Sequence, residues 1–200
     1  MALDHETTAS ACEKLNIPYM MTKESHQSGT DRCAEVAQKL ASYPFVLNVQ
    51  GDEPFVNLND LQNLMKELEN KTCKMATLGF KRSDRLGYEN PNVVKIALGS
   101  DSTAIYFSRA PIPFDREAMR TGAGAGDIVY TQHLGVYAYH RERLVDFCAL
   151  PPSDLERSEK LEQLRAVSAG WKIHVTVATT TSVGIDTPED LEIARRTFNG

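Results

Sequence analysis

The sequence has no closely spaced cysteines, no excess of basic residues and no long apolar run, and each absence excludes a class of protein. The four cysteines are Cys12, Cys33, Cys73 and Cys148. Their wide spacing fits neither a zinc site nor a disulfide framework, so we predict reduced thiols. The formal net charge of −5 argues against a general nucleic-acid-binding surface. No apolar run approaches the ~20 residues of a membrane span. Asp4 and Glu6 stand where a signal peptide is basic and then apolar, so we predict a cytoplasmic protein without membrane insertion.

The rest of the composition is that of an ordinary globular protein. Hydrophobic residues make up 42% and charged residues 24% of the 200 residues. Strand-like and helix-like patterns alternate at both ends of the chain, whereas the middle contains a predicted hairpin and a long strand. We therefore predict an α/β fold, with a mostly parallel sheet flanked by helices. A single domain should cover residues 1–200, with an antiparallel β lobe inserted at about 92–139.

The stretch YPFVLNVQGDEP, residues 43–54, carries the first candidate ligands. Its apolar half is typical of a strand buried on both faces of a parallel sheet, and GDEP ends that strand. Gln50 and Asp52 should therefore lie at the carboxyl end of a central strand, where ligands bind in open α/β sheets. A carboxylate there suits Mg²⁺ held against a phosphate. The alternative is a strand followed by a polar turn with no ligand.

A second candidate is the start of the helix predicted after SHQSGTDR, residues 25–32. Ser28 and Asp31 have the spacing of a capping box, with a shorter acid in place of Glu. The free N–H groups of such a helix start suit an anion or a polar base edge. The alternative is a plain capped helix.

Asp186 is the second candidate metal ligand. Thr187, Pro188 and Asp190 already supply the N-cap, the first helical position and a capping-box acid of the last helix. The carboxylate of Asp186 is therefore available beside that of Asp52. The alternative is a redundant acidic cap.

Candidate substrate-binding residues follow in the second half of the chain. Arg109 and Arg116 flank a proline-rich loop and could grip a carboxylate, although solvated charges are the alternative. In the strand QHLGVYAY, His133 and Tyr137 share a face, with Gly135 leaving room between them, while Leu134, Val136 and Ala138 face the core. A surface His and Tyr are the alternative there.

A single long helix is predicted over residues 153–169. Glu159 and Gln163 are four residues apart and would share one face of it. The alternative is an ordinary polar helix face.

Seven motifs together resemble one family over essentially the whole chain. They are HQSGTDR, NVQGDEP, NPNVVK, YFSRAPIPFDR, HLGVYAY, EKLEQLR and GIDTPEDLE. In this order they resemble the 3-deoxy-manno-octulosonate cytidylyltransferases, or CMP-Kdo synthetases. The resemblance implies a nucleotidyltransferase fold and the formation of CMP-Kdo and pyrophosphate from CTP and Kdo, for lipopolysaccharide assembly. It also implies a cytoplasmic, Mg²⁺-dependent homodimer.

The resemblance also implies roles for individual residues. Asp52 and Asp186 would ligate Mg²⁺ and carry the catalytic charge. Ser28, Gly29, Arg32 and Gln50 would surround the nucleotide and the reacting sugar. The residues implied around Kdo, where the arginines and His133 meet its acidic and hydroxyl groups, are Arg109, Arg116, His133, Tyr137, Glu159 and Gln163.

One part of the family pattern has no counterpart in the sequence. Members of the family open with a strand and a glycine-containing loop whose Arg and Lys grip the triphosphate. We therefore expect an N-terminally truncated chain with little or no turnover. The alternatives are CTP-dependent activation of another acidic sugar, or a non-catalytic remnant that binds nucleotide or sugar.

Overall fold

The computed structural model describes residues 1–53, 55–69, 73–121, 128–181, 184–185 and 187–199. Its strands are β1 (Ala2–Leu3), β2 (Met20–Met21), β3 (Phe45–Asn48), β4 (Met75–Arg82), β5 (Lys95–Leu98), β6 (Ala104–Ser108), β7 (Tyr130–His140) and β8 (Ile173–Val177). Its helices are α1 (Glu6–Lys14), α2 (Gly29–Lys39), α3 (Leu58–Glu69), α4 (Arg85–Glu89), α5 (Arg116–Thr121), α6 (Arg141–Ala149), α7 (Asp154–Glu159), α8 (Leu164–Ser168) and α9 (Pro188–Asn199). None of the described helices is long and apolar enough to cross a membrane.

The predicted α/β fold is confirmed, but the main sheet is mixed where we expected mostly parallel strands. Its order is β6-β5-β7-β4-β8. Strand β4 pairs along one edge of β7. On the other edge, β5 pairs with the first half of β7 and β3 pairs with the second half. Strands β3 and β4 are both antiparallel to β7, and β8 is parallel to β4, so these three strands share one direction. The long strand β7 runs the opposite way between them. The hairpin β5–β6 continues the same sheet through β7, so this part of the predicted lobe extends the main sheet.

Strand β7 separates two hydrophobic clusters, one on each face of the sheet. Leu134, Val136 and Ala138 lie in the cluster beneath α3, as their alternation predicted. Tyr137 and Tyr139 lie in the cluster beneath α2 and α6. The pairing with β4 shifts register between Thr77 and Leu78, which pair with Tyr137 and Leu134. Gly135 and Val136 therefore form a β-bulge, a feature that often re-aims side chains beside functional sites.

Helix α3 shows how the sequence pattern becomes packing. Its apolar residues recur at offsets of three and four, so they form one stripe that faces the sheet. Leu64 and Leu68 are fully buried, and Leu61 and Met65 pack against the same cluster. Full burial of each leucine stabilises the fold by about 1.5–3 kcal/mol.

The prediction of a single helix over residues 153–169 is wrong. Helix α7 begins with a capping box between Ser153 and Glu156 and ends at Glu159. Lys160 then adopts the left-handed conformation, with φ 55° and ψ 44°, and donates its N–H to the Glu156 carbonyl. This conformation stops an α-helix and costs a non-glycine residue roughly 1–2 kcal/mol. Helix α8 starts only at Leu164, so Glu159 and Gln163 do not share a helix face.

Candidate active site

Two cavities adjoin each other beside the end of β3. The α2 cavity, of about 680 Å³, lies among β1, the start of α2 and the turn after β3. The β7 cavity, of about 430 Å³, lies among β7, β3 and the α7–α8 segment. Four residues line both cavities and form their shared wall: Thr30, Asn48, Gln50 and Glu162. A molecule in one cavity would therefore lie next to a molecule in the other.

The α2 cavity contains all four residues predicted around the nucleotide and also Asp52. Ser28 is the N-cap of α2 and accepts a hydrogen bond from the Asp31 N–H at 3.1 Å, which confirms the Ser28 half of the predicted capping box. Gly29 opens the helix at the cavity, where free N–H groups suit a polar or anionic ligand. Arg32 is held by the Thr22 hydroxyl at 2.7 Å and by the Asp4 carboxylate at 2.6 Å.

The β7 cavity contains three of the six residues predicted around the sugar, namely His133, Tyr137 and Gln163. The Tyr137 hydroxyl and the Gln163 amide nitrogen are buried without a hydrogen-bond partner among the described residues. Burial raises the pKa of Tyr137 well above its ordinary value, so its hydroxyl keeps its proton. An unsatisfied buried polar group costs about 1–3 kcal/mol, and such groups in a cavity wall are those that a polar ligand would satisfy.

Three predicted sugar residues lie outside both cavities. The Glu159 carboxylate accepts hydrogen bonds from the Ser108 hydroxyl at 2.6 Å and the Arg109 N–H at 2.9 Å. The Arg109 guanidinium donates to the carbonyls of Glu159 at 2.8 Å and Pro91 at 3.0 Å. These two residues therefore fasten the end of β6 to α7. Arg116 starts α5 with an exposed side chain and lines neither cavity.

Sequence reasoning missed Glu162, which links the two cavities most directly. Its carboxylate accepts hydrogen bonds from the Ser28 hydroxyl at 3.0 Å and the Thr30 hydroxyl at 2.8 Å. Thr30 in turn accepts from the Asn48 amide at 3.2 Å. Glu162 is part of the motif EKLEQLR. A single unbroken helix favoured Glu159 and Gln163 as the pair that shares a face, and Glu162 was therefore not predicted.

Two lysines near the β7 cavity were also missed. Among the described residues that line this cavity, Lys160 is the only lysine or arginine. It is the residue with the left-handed conformation at the end of α7. Lys95 is fully buried, and its ammonium group donates to the carbonyls of Asn90, Val93 and Arg109 at 2.9, 2.6 and 2.6 Å. Burial lowers the pKa of Lys95, while the three carbonyls satisfy its protons.

The donor chemistry of Asp52 fits a divalent cation. Its carboxylate lines the α2 cavity, and Mg²⁺ is commonly held by one or two carboxylates together with phosphate oxygens. The N–H of Ile185 donates to the Asp52 carbonyl at 2.8 Å, so the chain just before position 186 meets the turn after β3. Asp186 itself lies outside the described residues. Within the described part of the chain no three His, Cys, Asp or Glu side chains cluster as metal ligands.

The helix start after position 186 forms as predicted. The Thr187 hydroxyl accepts from the Asp190 N–H at 3.2 Å, and the Asp190 carboxylate accepts from the Thr187 N–H at 2.9 Å. Thr187 and Asp190 thus form the predicted reciprocal cap at the start of α9.

Comparison with known proteins identifies close relatives. The model of the Cytidylyltransferase family matches residues 1–173. The 3-deoxy-manno-octulosonate cytidylyltransferase of Syntrophobacter fumaroxidans is 44% identical over 196 residues, which cover 96% of this chain and 76% of the relative. The enzyme of the same name from Thermodesulfovibrio yellowstonii is 38% identical, over all of this chain and 80% of the relative.

Two solved structures also match the fold of this chain. A CMP:2-keto-3-deoxy-manno-octonic acid synthetase complexed with CTP matches with a TM-score of 0.88 and 33% identity, over 98% of this chain and 78% of the other. A 4-diphosphocytidyl-2C-methyl-D-erythritol synthase from Anaerococcus prevotii matches with a TM-score of 0.60 at 14% identity, over 98% and 77%. The second likeness shows the fold alone.

Proposed function

The chain belongs to the cytidylyltransferase family, and from this premise we propose that it forms CMP-Kdo and pyrophosphate from CTP and Kdo. The observation that carries the proposal is the shared wall of Thr30, Asn48, Gln50 and Glu162 between the two cavities. CTP in the α2 cavity and Kdo in the β7 cavity would meet at this wall. Such placement turns a bimolecular reaction into one between held neighbours, which is a large source of rate enhancement.

The reaction is a displacement at the α-phosphorus of CTP. The anomeric hydroxyl of Kdo attacks, the bond to the β-phosphate oxygen breaks, pyrophosphate leaves, and the hydroxyl proton passes to solvent. Ser28, Gly29 and Arg32 would hold the nucleotide in the α2 cavity. His133, Tyr137 and Gln163 would hold Kdo in the β7 cavity, and Gln50 would contact both substrates.

We propose Mg²⁺ as the cofactor, held by Asp52 and Asp186. When bound, the ion would neutralise triphosphate charge and lower the pKa of the attacking hydroxyl. Asp52 would place the ion at the α2 cavity, beside the start of α2. The hydrogen bond from Ile185 to Asp52 supports the pairing, because it joins the two segments that carry these carboxylates.

We propose a cytoplasmic homodimer formed through residues 92–139. Three large apolar side chains of this region are exposed on the single chain: Ile105 and Val129 by 61% and Phe114 by 68%. Exposed apolar side chains of this size suit burial against a second copy of the chain. Sedimentation equilibrium at micromolar concentration should give twice the mass of the chain, and a monomer there would refute this part of the proposal.

The activity is tested directly by incubating the purified chain with CTP, Kdo and MgCl₂. Pyrophosphate and CMP-Kdo should appear in equal amounts, even at the low turnover expected from the sequence. Parallel reactions with a sialic acid in place of Kdo, or with ATP in place of CTP, should release much less pyrophosphate. Equal rates with the sialic acid would assign the β7 cavity to another sugar acid. No release with any pair would refute the proposed function in favour of a non-catalytic remnant.

A further inference from the structure

We propose that Thr77 is a positioning residue that fixes the tautomer of His133. His133 would then offer the β7 cavity a hydrogen-bond acceptor, and would take a hydroxyl group of the sugar acid and not its carboxylate. The identity of the sugar rests on the proposed function. The arrangement around Thr77 does not.

The Thr77 hydroxyl lies within hydrogen-bond distance of three atoms, and the Tyr137 hydroxyl is a further polar neighbour. Thr77 is fully buried in β4, and its oxygen lies 2.8 Å from the Val136 carbonyl, 3.0 Å from Nε2 of His133 and 3.4 Å from the Leu134 carbonyl. The β-bulge in β7 makes these contacts possible. Because Gly135 and Val136 have no partner in β4, the Val136 carbonyl is available to a side chain.

The proton count around Thr77 determines the state of His133. A hydroxyl has one proton to donate, and backbone carbonyls only accept. The proton therefore goes to the nearest carbonyl, that of Val136. The oxygen of Thr77 can then pair with Nε2 of His133 only by accepting a proton from it. His133 is thus fixed as the tautomer with hydrogen on Nε2.

The surroundings of His133 keep this ring neutral. The rings of Phe107 and Tyr137 lie 5.2 and 5.3 Å from it, centroid to centroid. Burial among these groups lowers the pKa of His133 to about 3. The neutral ring holds its one proton on Nε2, so Nδ1 carries a lone pair. Nδ1 has no hydrogen-bond partner among the described residues, and His133 lines the β7 cavity.

A lone pair on Nδ1 selects the group that can bind beside it. A hydroxyl donates to it, whereas a carboxylate would place two acceptors against each other. The resemblance implies that the arginines and His133 meet the acidic and hydroxyl groups of the sugar, and on this proposal His133 takes a hydroxyl. Thr77 acts only through His133 and does not line the cavity.

The tautomer can be read in the full chain by long-range ¹H–¹⁵N correlation of the His133 ring at neutral pH. We expect a neutral ring with hydrogen on Nε2. In Thr77→Val the Nε2 hydrogen loses its acceptor, so the ring should shift towards the tautomer with hydrogen on Nδ1. The KM for Kdo should rise about tenfold, the effect of one hydrogen bond, while the KM for CTP stays within about twofold.

Two further variants separate positioning from packing. Thr77→Ser keeps the hydroxyl and should restore the tautomer and the KM for Kdo. Thr176→Val is a matched control, because its hydroxyl on the neighbouring strand β8 is buried without a hydrogen-bond partner among the described residues. It should change neither quantity.

Three results would overturn the proposal: an imidazolium or an Nδ1–H ring in the unmodified chain, an unchanged KM for Kdo in a folded Thr77→Val, or failure of Thr77→Ser to restore it. The spectrum of the unmodified chain decides the tautomer even if Thr77→Val does not fold. The same spectrum decides the tautomer if the chain forms no CMP-Kdo. That result would refute the proposed function but not the proposal on Thr77 and His133.

Discussion

The two cavities differ in what holds their walls in place. The β7 cavity is built on an 11-residue strand in the middle of the sheet, with neighbours bonded along both edges. The α2 cavity is built on the two-residue strand β1, one helix start and a turn. Its charged groups depend on contacts such as the pair between Arg32 and Asp4, whose side chain is 49% exposed. Exposed ion pairs contribute about 0–1 kcal/mol, whereas leaving a buried polar group unsatisfied costs about 1–3 kcal/mol.

This difference indicates that the two cavities have different roles: the β7 cavity is rigid, and the α2 cavity carries the charged groups. In the β7 cavity, hydroxyl and imidazole groups are oriented by the fold before any ligand arrives. In the α2 cavity, a carboxylate and a helix start are brought together, and a cation with phosphate groups would complete their arrangement. Changes in the α2 cavity should therefore affect the rate, and changes around the β7 cavity should affect sugar binding and stability.

The largest expected effect tests the charged cavity. Asp52→Asn keeps the size of the side chain but removes the charge proposed to hold Mg²⁺. The kcat should fall by about 10³-fold, as expected when charge stabilisation is lost from a transferring phosphate. The melting temperature should stay close to that of the unmodified chain. A kcat within tenfold of the original at saturating MgCl₂ would remove Asp52 from the proposed metal site.

The next effect should appear in both cavities at once. Glu162→Gln weakens the acceptor for the Ser28 and Thr30 hydroxyls, because a neutral amide oxygen replaces the carboxylate. We expect kcat/KM to fall by about 10–100-fold for both CTP and Kdo, the effect of losing charge-assisted hydrogen bonds. Glu192→Gln, in the exposed pair with Arg195 on α9, is the control and should leave both values unchanged. A defect confined to one substrate would show that Glu162 serves a single cavity.

Arg109→Lys asks whether Arg109 supports the fold or binds the sugar. A lysine cannot reproduce both bonds, from Nε to Glu159 and from Nη1 to Pro91. The free energy of unfolding should fall by about 1–3 kcal/mol, which lowers the melting temperature of a chain this size by roughly 2–12 °C. Thermal denaturation measures the shift. A stable variant with a strongly raised KM for Kdo would instead show that Arg109 binds the sugar directly.

The low pKa of His133 gives a signed pH dependence. The folded state takes up this proton only near a pKa of about 3, whereas an unfolded histidine does so near 6.5. Between these values the unfolded state binds more protons, so stability falls as the pH falls. The contribution between pH 7 and pH 5 is about 1–2 kcal/mol. Urea denaturation at both pH values should show this loss, and His133→Asn should reduce it. An equal loss in that variant would assign the effect to other groups.

The smallest expected effect has opposite signs for stability and activity. Lys160→Gly removes the cost of a left-handed non-glycine residue and should raise the free energy of unfolding by about 1 kcal/mol. It also removes the cation of the β7 cavity, so the KM for Kdo should rise severalfold. Lys172→Gly, outside both cavities, should not raise the KM. A destabilised Lys160→Gly would show that the side chain of Lys160 supports the fold.

The sequence was a good guide wherever local pattern determines structure. The spacing of Ser28 and Asp31 predicted the start of α2. The alternation in β7 placed Leu134 and Val136 on one face and Tyr137 on the other. These features depend on residues within a few positions of each other, so one sequence suffices to find them.

The sequence was a poor guide where distant contacts decide. Nothing local to Lys160 indicates that it breaks a helix, so Glu159 and Gln163 were placed on one face and Glu162 was overlooked. The polar partners of the Arg109 guanidinium are backbone carbonyls 18 and 50 positions away. The antiparallel insertion of β7 between β3 and β4 likewise depends on pairing across about 50 to 95 residues.

The adjoining cavities can be tested with each ligand in turn. Backbone amide resonances of the full chain are recorded with CTP alone, with Kdo alone and with neither, all in MgCl₂. CTP should shift Gly29 and Arg32, Kdo should shift His133 and Tyr137, and both should shift Thr30 and Asn48 in the shared wall. If Kdo instead shifts residues of the α2 cavity, or if neither ligand reaches Thr30 and Asn48, the two cavities do not bring the substrates together.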